Sequence, residues 1–384
     1  MAKSQLFSQL KSRVKNQVKH RIDRQLLPKI SNQIEQWAGA ETPKLYYNPT
    51  GTFQHITDVL PQLTQPYRPT PWLSNTHAHL LYFDVIRKKK VQLQYDHIEQ
   101  LQMHDGGVTA IAWYGKDLPA DTPTIVLLHT ITGSPDSMRE LVKDLHRYTG
   151  WRIALCIRRG HAQLPMPVGQ FCLFGSVDDL REQLAHITAL YPQSTLYGVG
   201  SSAGTSLLVR YLGEAGENSL FRAAFALSPG YNLETGFDHM HPFYSRYMAN
   251  KVLNTFVRPH TPVWQSNTGL SHLLAQKELT HVHRHHYQFA GFASYDDYDQ
   301  AINPIHVFEN IQVPLMILNA EDDPVCHIRN FEPYKAQVSA MQNVMVITTK
   351  KGSHCGFYEG LRHPEAWSTK LIADFLKQSH HTAS

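Results

Sequence analysis

The sequence predicts an α/β fold, with a mostly parallel central sheet, helices on both faces and a small cap insertion. Three observations predict it. From about residue 91, short apolar runs bounded by turn residues alternate with helical patterns, as buried parallel strands and their crossover helices do. One strand-to-helix turn carries Gly-x-Ser-x-Gly at residues 200–204. The alternation then stops between about residues 231 and 304, in an aromatic, histidine-rich stretch placed to cover the carboxyl edge of such a sheet.

The expected strands are Val91–Tyr95, Val108–Trp113, Thr124–His129, Ile153–Arg158, Thr195–Val199, Ala223–Ser228, Leu315–Asn319 and Val344–Thr348. The expected helices are Ser137–Arg147, Val177–Leu190, Ala203–Leu212, Asn330–Ala340 and Pro364–Lys377. Residues 91–384 thus read as one α/β domain with its insertion. Residues 39–90, rich in Pro, Thr and Tyr at their start, read as an irregular segment wrapping the surface. Residues 1–38 read as an amphipathic helix, with Phe7, Leu10, Val14, Val18, Ile22, Leu26, Ile30 and Ile34 recurring every three or four positions.

Charge follows the same division. The net charge is +4, but residues 1–38 hold eight Lys or Arg against Asp23 and Glu35. That segment carries +6 and the rest sums to −2, so the body is no basic nucleic-acid binder. The basic helix suits peripheral contact with an anionic membrane; docking on the body or on a second copy, as in a homodimer, fits equally. No run approaches a membrane span and the N-terminus lacks a signal peptide's apolar core. Four scattered cysteines with no CxxC pair suggest a reduced, cytoplasmic protein.

The chemistry centres on Ser202. A strand must turn sharply into a helix there, so glycines two residues to either side, Gly200 and Gly204, relieve the clashes. This strand–turn–helix context predicts an α/β-hydrolase fold with Ser202 as nucleophile. A serine hydroxyl needs a base, and the chain order in this fold is serine, acid, histidine. The strand at 315–319 runs into Asp322 and Asp323; Asp323 is preferred for its spacing from Ala320, with Asp322 the alternative. The loop after the next strand carries His354 between Gly352 and Gly356. The backbone N–H of Ala203 and one from Ile131, with Thr130 second, are the expected oxyanion donors. His129 is expected to brace that loop. The tract His281, His283, His285 and His286 lacks matching Cys, Asp or Glu ligands, so no metal is expected. No phosphate-binding glycine loop is present, and no cofactor is expected.

Six segments occur in order: residues 66–77 (PYRPTPWLSNTH), 104–107 (HDGG), 128–133 (LHTITG), 158–161 (RRGH), 197–204 (YGVGSSAG) and 319–324 (NAEDDP). Together they resemble the YheT-like group of α/β-hydrolases, relatives of the abhydrolase-domain proteins 1, 2 and 3, from about residue 45 to the C-terminus. The resemblance implies an esterase or lipase whose partner is a small acyl ester, plausibly lipid-like. Two departures bear on substrate choice: the family's glycine after the oxyanion-loop histidine is Thr130 here, and a second glycine after the nucleophile is Thr205. An acyltransferase using the same triad, or a non-catalytic lipid-binding or scaffolding protein that kept the fold, are the alternative readings.

Overall fold

Successive side chains along a strand point to opposite faces, so a strand covered by helices on both faces reads as a continuous apolar run. The computed structural model of the protein describes residues 27–382. Among them, one sheet contains β1 (Lys44–Tyr47), β2 (His97–Gln102), β3 (Val108–Tyr114), β4 (Thr124–Leu128), β5 (Arg152–Ile157), β6 (Leu196–Ser201), β7 (Phe221–Leu227), β8 (Leu315–Ala320) and β9 (Val344–Thr349). Their order is β1-β9-β8-β7-β6-β4-β5-β3-β2. The pairs from β5 through β9 are parallel, while β1, β2 and β3 pair antiparallel with their neighbours.

The alternation sorts the core into two layers. Ile125, Leu127, Met316, Leu318, Met345 and Ile347 face α2 (Pro135–Thr149) and α5 (Trp367–His381), which add Val142, Leu145, Leu371 and Phe375. Val126, Leu128, Leu315, Ile317, Val344 and Val346 face the other way, toward Leu180, Leu184 and Ile187 of α3 (Val177–Leu190) and Leu208 and Leu212 of α4 (Ala203–Ala215). α1 (Leu27–Ala38) is the helix that precedes β1. No helix among the described residues is long and apolar enough to cross a membrane.

Four expectations need correction. The strand expected at Val91–Tyr95 lies instead at His97–Gln102, as β2; it is an edge strand whose polar sequence HIEQLQ hides it from an apolar pattern. Residues 39–90 are not irregular throughout: they supply β1 and the helical turns Thr76–Leu81 and Tyr82–Arg87. The expected helix Asn330–Ala340 splits into short turns before Lys335–Ala340, because Pro333 cannot donate to a continuous helix. A two-stranded hairpin, Tyr358–Glu359 with Glu365–Ala366, displaces the start of the last helix to Trp367. Residues 1–26 of the expected basic helix lie outside the described residues.

Between β7 and β8 the chain forms the helices Leu233–Asp238, Pro242–Val252, Leu270–Leu274, Leu279–His285 and Tyr295–Ile302. Their apolar side chains form a third cluster with Ile131, Ala203 and Val325. Those three residues follow β4, β6 and β8, so the helical stretch packs on the sheet's carboxyl edge.

Candidate active site

The turn from β6 into α4 is tight enough to demand its sequence. A Cβ on Gly204 would lie 2.2 Å from the Leu128 carbonyl oxygen, and one on Gly200 would lie 2.8 Å from Thr205 Cα. Only glycine lets α4 approach β6 and β4 this closely. Ser202 itself sits at φ 51° and ψ −120°, a strained conformation that aims its hydroxyl off the strand end. Its N–H donates to the Leu227 carbonyl at 2.9 Å. Thr205, where the resembled family has glycine, donates its hydroxyl to the Ser202 carbonyl and braces the turn.

His354 comes from the loop after β9. Gly352 has φ 153° and packs against the Phe357 ring, which a Cβ would strike at 2.5 Å. The loop carries the imidazole back over the sheet edge: His354 Nε2 lies 2.8 Å from Ser202 Oγ, and Nδ1 lies 2.8 Å from Asp323 Oδ2. An ionised carboxylate can only accept, so Nδ1–H donates to Asp323 and the neutral ring's Nε2 accepts from the serine hydroxyl. Ser202 and His354 are buried apart from small openings, and Asp323 is fully enclosed. Burial disfavours the imidazolium, but the adjacent Asp323 carboxylate outweighs it and holds His354 well above the ordinary histidine range.

The two neighbouring acids do different work. Asp323 Oδ1 accepts from the N–H groups of Val325 and Cys326 at 2.8 and 2.9 Å, which fixes the carboxylate beneath the ring. Asp322 does not reach His354. It accepts from the Ser353 N–H at 2.9 Å and from the Thr76 hydroxyl, and pairs with Lys351 at 3.4 Å. Asp322 therefore ties the histidine loop to Thr76, the first residue of the helical turn Thr76–Leu81.

The loop after β4 is held from one side by donors. Arg158 Nη1 and Nη2 donate to the carbonyls of His129 and Thr130 at 2.9 and 2.7 Å. His129 Nε2 accepts the Arg158 N–H at 3.2 Å, so its Nδ1–H is the donor to the Thr130 carbonyl at 2.8 Å. His161 Nε2 lies 3.0 Å from the Ile131 carbonyl. In a trans peptide the C=O and the following N–H point in opposite directions. Holding the Thr130 carbonyl toward Arg158 therefore turns the Ile131 N–H away from it. Burial, reinforced by Arg158, keeps His129 and His161 neutral, His161 at about 3. Burial lowers Arg158 to about 9, which still leaves it charged at neutral pH. Thr130 has no positive φ, so its Cβ imposes no strain where the resembled family has glycine. Sequence reasoning recognised Arg158 and His161 only as a motif; a buried arginine held by carbonyls and no acid has no local sequence signature.

Two apolar spaces flank Ser202. A narrow pocket of about 50 Å³ is lined by Ile131, Ala203, Leu233, Met240 and Val325. An open groove of about 420 Å³ is lined by Leu80, Thr130, Ile131, Phe243, Tyr247 and His354. The histidine tract lies elsewhere: His283 and His286 are buried in the helical stretch. No group of three or more metal-ligating side chains occurs among the described residues.

A family model described as the alpha/beta hydrolase fold matches residues 123–361. The chain is similar to the phospholipase ABHD3 of Homo sapiens, at 26% identity over 84% of this chain and 81% of that protein. It is 25% identical to the monoacylglycerol lipase ABHD2 of Homo sapiens, over 87% of this chain and 84% of that one. The embryogenesis-associated protein EMB8 of Picea glauca is 25% identical over 85% of this chain and 75% of its own length. Among solved structures, a protein with unknown function from Staphylococcus aureus superposes with a TM-score of 0.50 at 12% identity, covering 74% of this chain and 99% of that one. At that identity the likeness speaks to the fold alone.

Proposed function

The chain belongs to the alpha/beta hydrolase fold family, and from that premise we propose that it hydrolyses lipid-like carboxylic esters through an acyl-enzyme. Ser202 Oγ attacks the ester carbonyl carbon while its proton passes to His354 Nε2. Asp323 stabilises the imidazolium that forms. The carbonyl oxygen becomes an oxyanion facing the N–H groups of Ala203 and Ile131. Ala203 opens α4, so its N–H has no partner within the helix, and the helix dipole adds positive potential there. Collapse of the tetrahedral adduct breaks the ester C–O bond, and His354 returns the proton to the departing alcohol. Water, deprotonated by His354, then cleaves the acyl-serine and releases the carboxylic acid.

The observation that carries this reading is the pair of 2.8 Å contacts linking Ser202, His354 and Asp323 at a strained strand–helix turn. The two apolar spaces beside Ser202 suit an ester with a longer apolar half in the groove and a smaller one in the pocket. Relatives named as a phospholipase and a monoacylglycerol lipase support a lipid ester as substrate. The test is hydrolysis of p-nitrophenyl esters of rising chain length. Turnover should favour chains long enough to fill the groove, and Ser202→Ala should abolish it at every length. Equal turnover by Ser202→Ala would overturn the assignment.

A further inference from the structure

A lipid ester barely dissolves in water, so its route to Ser202 is a physical problem in its own right. The groove beside Ser202 opens between two helical stretches, residues 76–90 and 242–257. Each places an apolar pair four residues apart at the mouth: Leu81 and Val85 on the first, Phe243 and Tyr247 on the second. Residues at that spacing share one helix face. All four line the groove and yet face solvent, Phe243 by 64%, Leu81 by 58%, Tyr247 by 48% and Val85 by 40%. Ile86, next to Val85, is exposed by 40% without lining the groove. Four of the fifteen exposed large hydrophobic residues among the described residues therefore line one opening, and Ile86 adjoins them in sequence. Such clustering marks an interaction surface, whereas single exposed apolar residues do not.

Exposed positive charges follow this rim along the first stretch. The first stretch ends in exposed Lys89 and Lys90. The second carries Lys251 on the groove wall, near the Tyr247 ring. Arg87 is engaged by Glu140, and the acid in the groove lining is Asp84. Apolar side chains that can enter the acyl boundary, with Lys89 and Lys90 following them for lipid phosphates, complement an anionic bilayer surface.

We infer that the mouth of the groove is a docking face for an anionic lipid bilayer, placed so that an ester leaves the acyl layer and reaches Ser202 without crossing water. The inference rests on the ester hydrolase reading and names where that substrate comes from. It concerns residues 76–90 and 242–257 rather than the basic residues of the N-terminal segment.

The test uses the full chain and vesicles of phosphatidylcholine with or without phosphatidylglycerol. Flotation reports binding, and turnover of a water-soluble short ester reports the site. Ile86→Ser and the double variant Lys89→Gln/Lys90→Gln alter the rim outside the groove lining. The wild type should float preferentially with the anionic vesicles. The lysine variant should bind them roughly thirtyfold more weakly, and Ile86→Ser roughly fivefold more weakly. Both should keep soluble-ester turnover and melting temperature. Full binding by both rim variants, with loss only in Lys11→Gln/Lys15→Gln, would overturn the inference in favour of the N-terminal segment. A dimer that the rim variants dissociate would overturn it in favour of a second copy. Wild-type flotation without any ester turnover would instead sink the hydrolase reading alone.

Discussion

The carboxyl edge of the sheet and the helical stretch above it both bury histidines among aromatic side chains, but they hold them differently. At the edge, His129, His161 and His354 each meet a specific acceptor or donor. In the helical stretch, neither ring nitrogen of His283 has a hydrogen-bond partner, nor does the nearby Tyr298 hydroxyl. Burial pushes His283 down to about 3 and keeps it uncharged. Polar geometry thus specifies the edge, and the proposed reaction depends on it. The helical stretch is specified by volume, where shape matters and the ring nitrogens contribute little.

Substitutions should separate the two regions. The largest effect is expected at the edge: Ser202→Ala should lower kcat for an ester about a millionfold with an unchanged melting temperature. Asp323→Asn should cost about ten-thousandfold, because an amide cannot hold the imidazole in the right tautomer or stabilise its charge. Asp322→Asn tests the division between the two acids. It should change kcat less than about tenfold but lower the melting temperature, since it weakens the tie among Ser353, Thr76 and Lys351. Equal losses in the two variants would erase the distinction drawn here.

Arg158→Met should lower kcat about a hundredfold with little change in KM, as expected when a loop donor to the oxyanion loses its orientation. A rise in KM alone would place Arg158 in substrate binding. The pH profile gives a further measure. His354 must be unprotonated to act as base, and Asp323 raises its proton affinity. Activity should therefore fall with decreasing pH along a limb that lies above the usual histidine value of about 6.5, and Asp323→Asn should move that limb down. The smallest effect is expected in the helical stretch. His283→Phe should leave ester turnover within about twofold and raise or preserve the melting temperature, because it removes buried nitrogens that have no partner. A large loss of activity there would show that the stretch is as polar in its specification as the edge.

Much of the fold was legible because burial on two faces writes itself as apolar runs: β4, β5, β8 and β9 stand where the sequence puts them. The edges were not. β1 has only four residues, KLYY, too few to show a period, and β2 is an edge strand whose polar sequence HIEQLQ resembles loop. Ser202, Asp323 and His354 could be nominated because the turn glycines, the strand end and the last loop each leave a local mark, and the geometry brings those three side chains together. Arg158 and His161 escaped a role because they act through backbone carbonyls 28 to 30 residues away in sequence. The buried positions of His283 and His286 escaped for the opposite reason: a histidine-rich run reads as polar surface until the ring packing is known.

Reaction of the full chain with a fluorophosphonate, followed by mass spectrometric mapping of the adduct, asks whether a neighbouring base activates Ser202. Only a serine activated by a neighbouring base reacts readily. One phosphonylated residue is expected, Ser202, with labelling lost in His354→Ala while the protein stays folded. An unlabelled Ser202, or labelling that survives removal of the His354 imidazole, would contradict it.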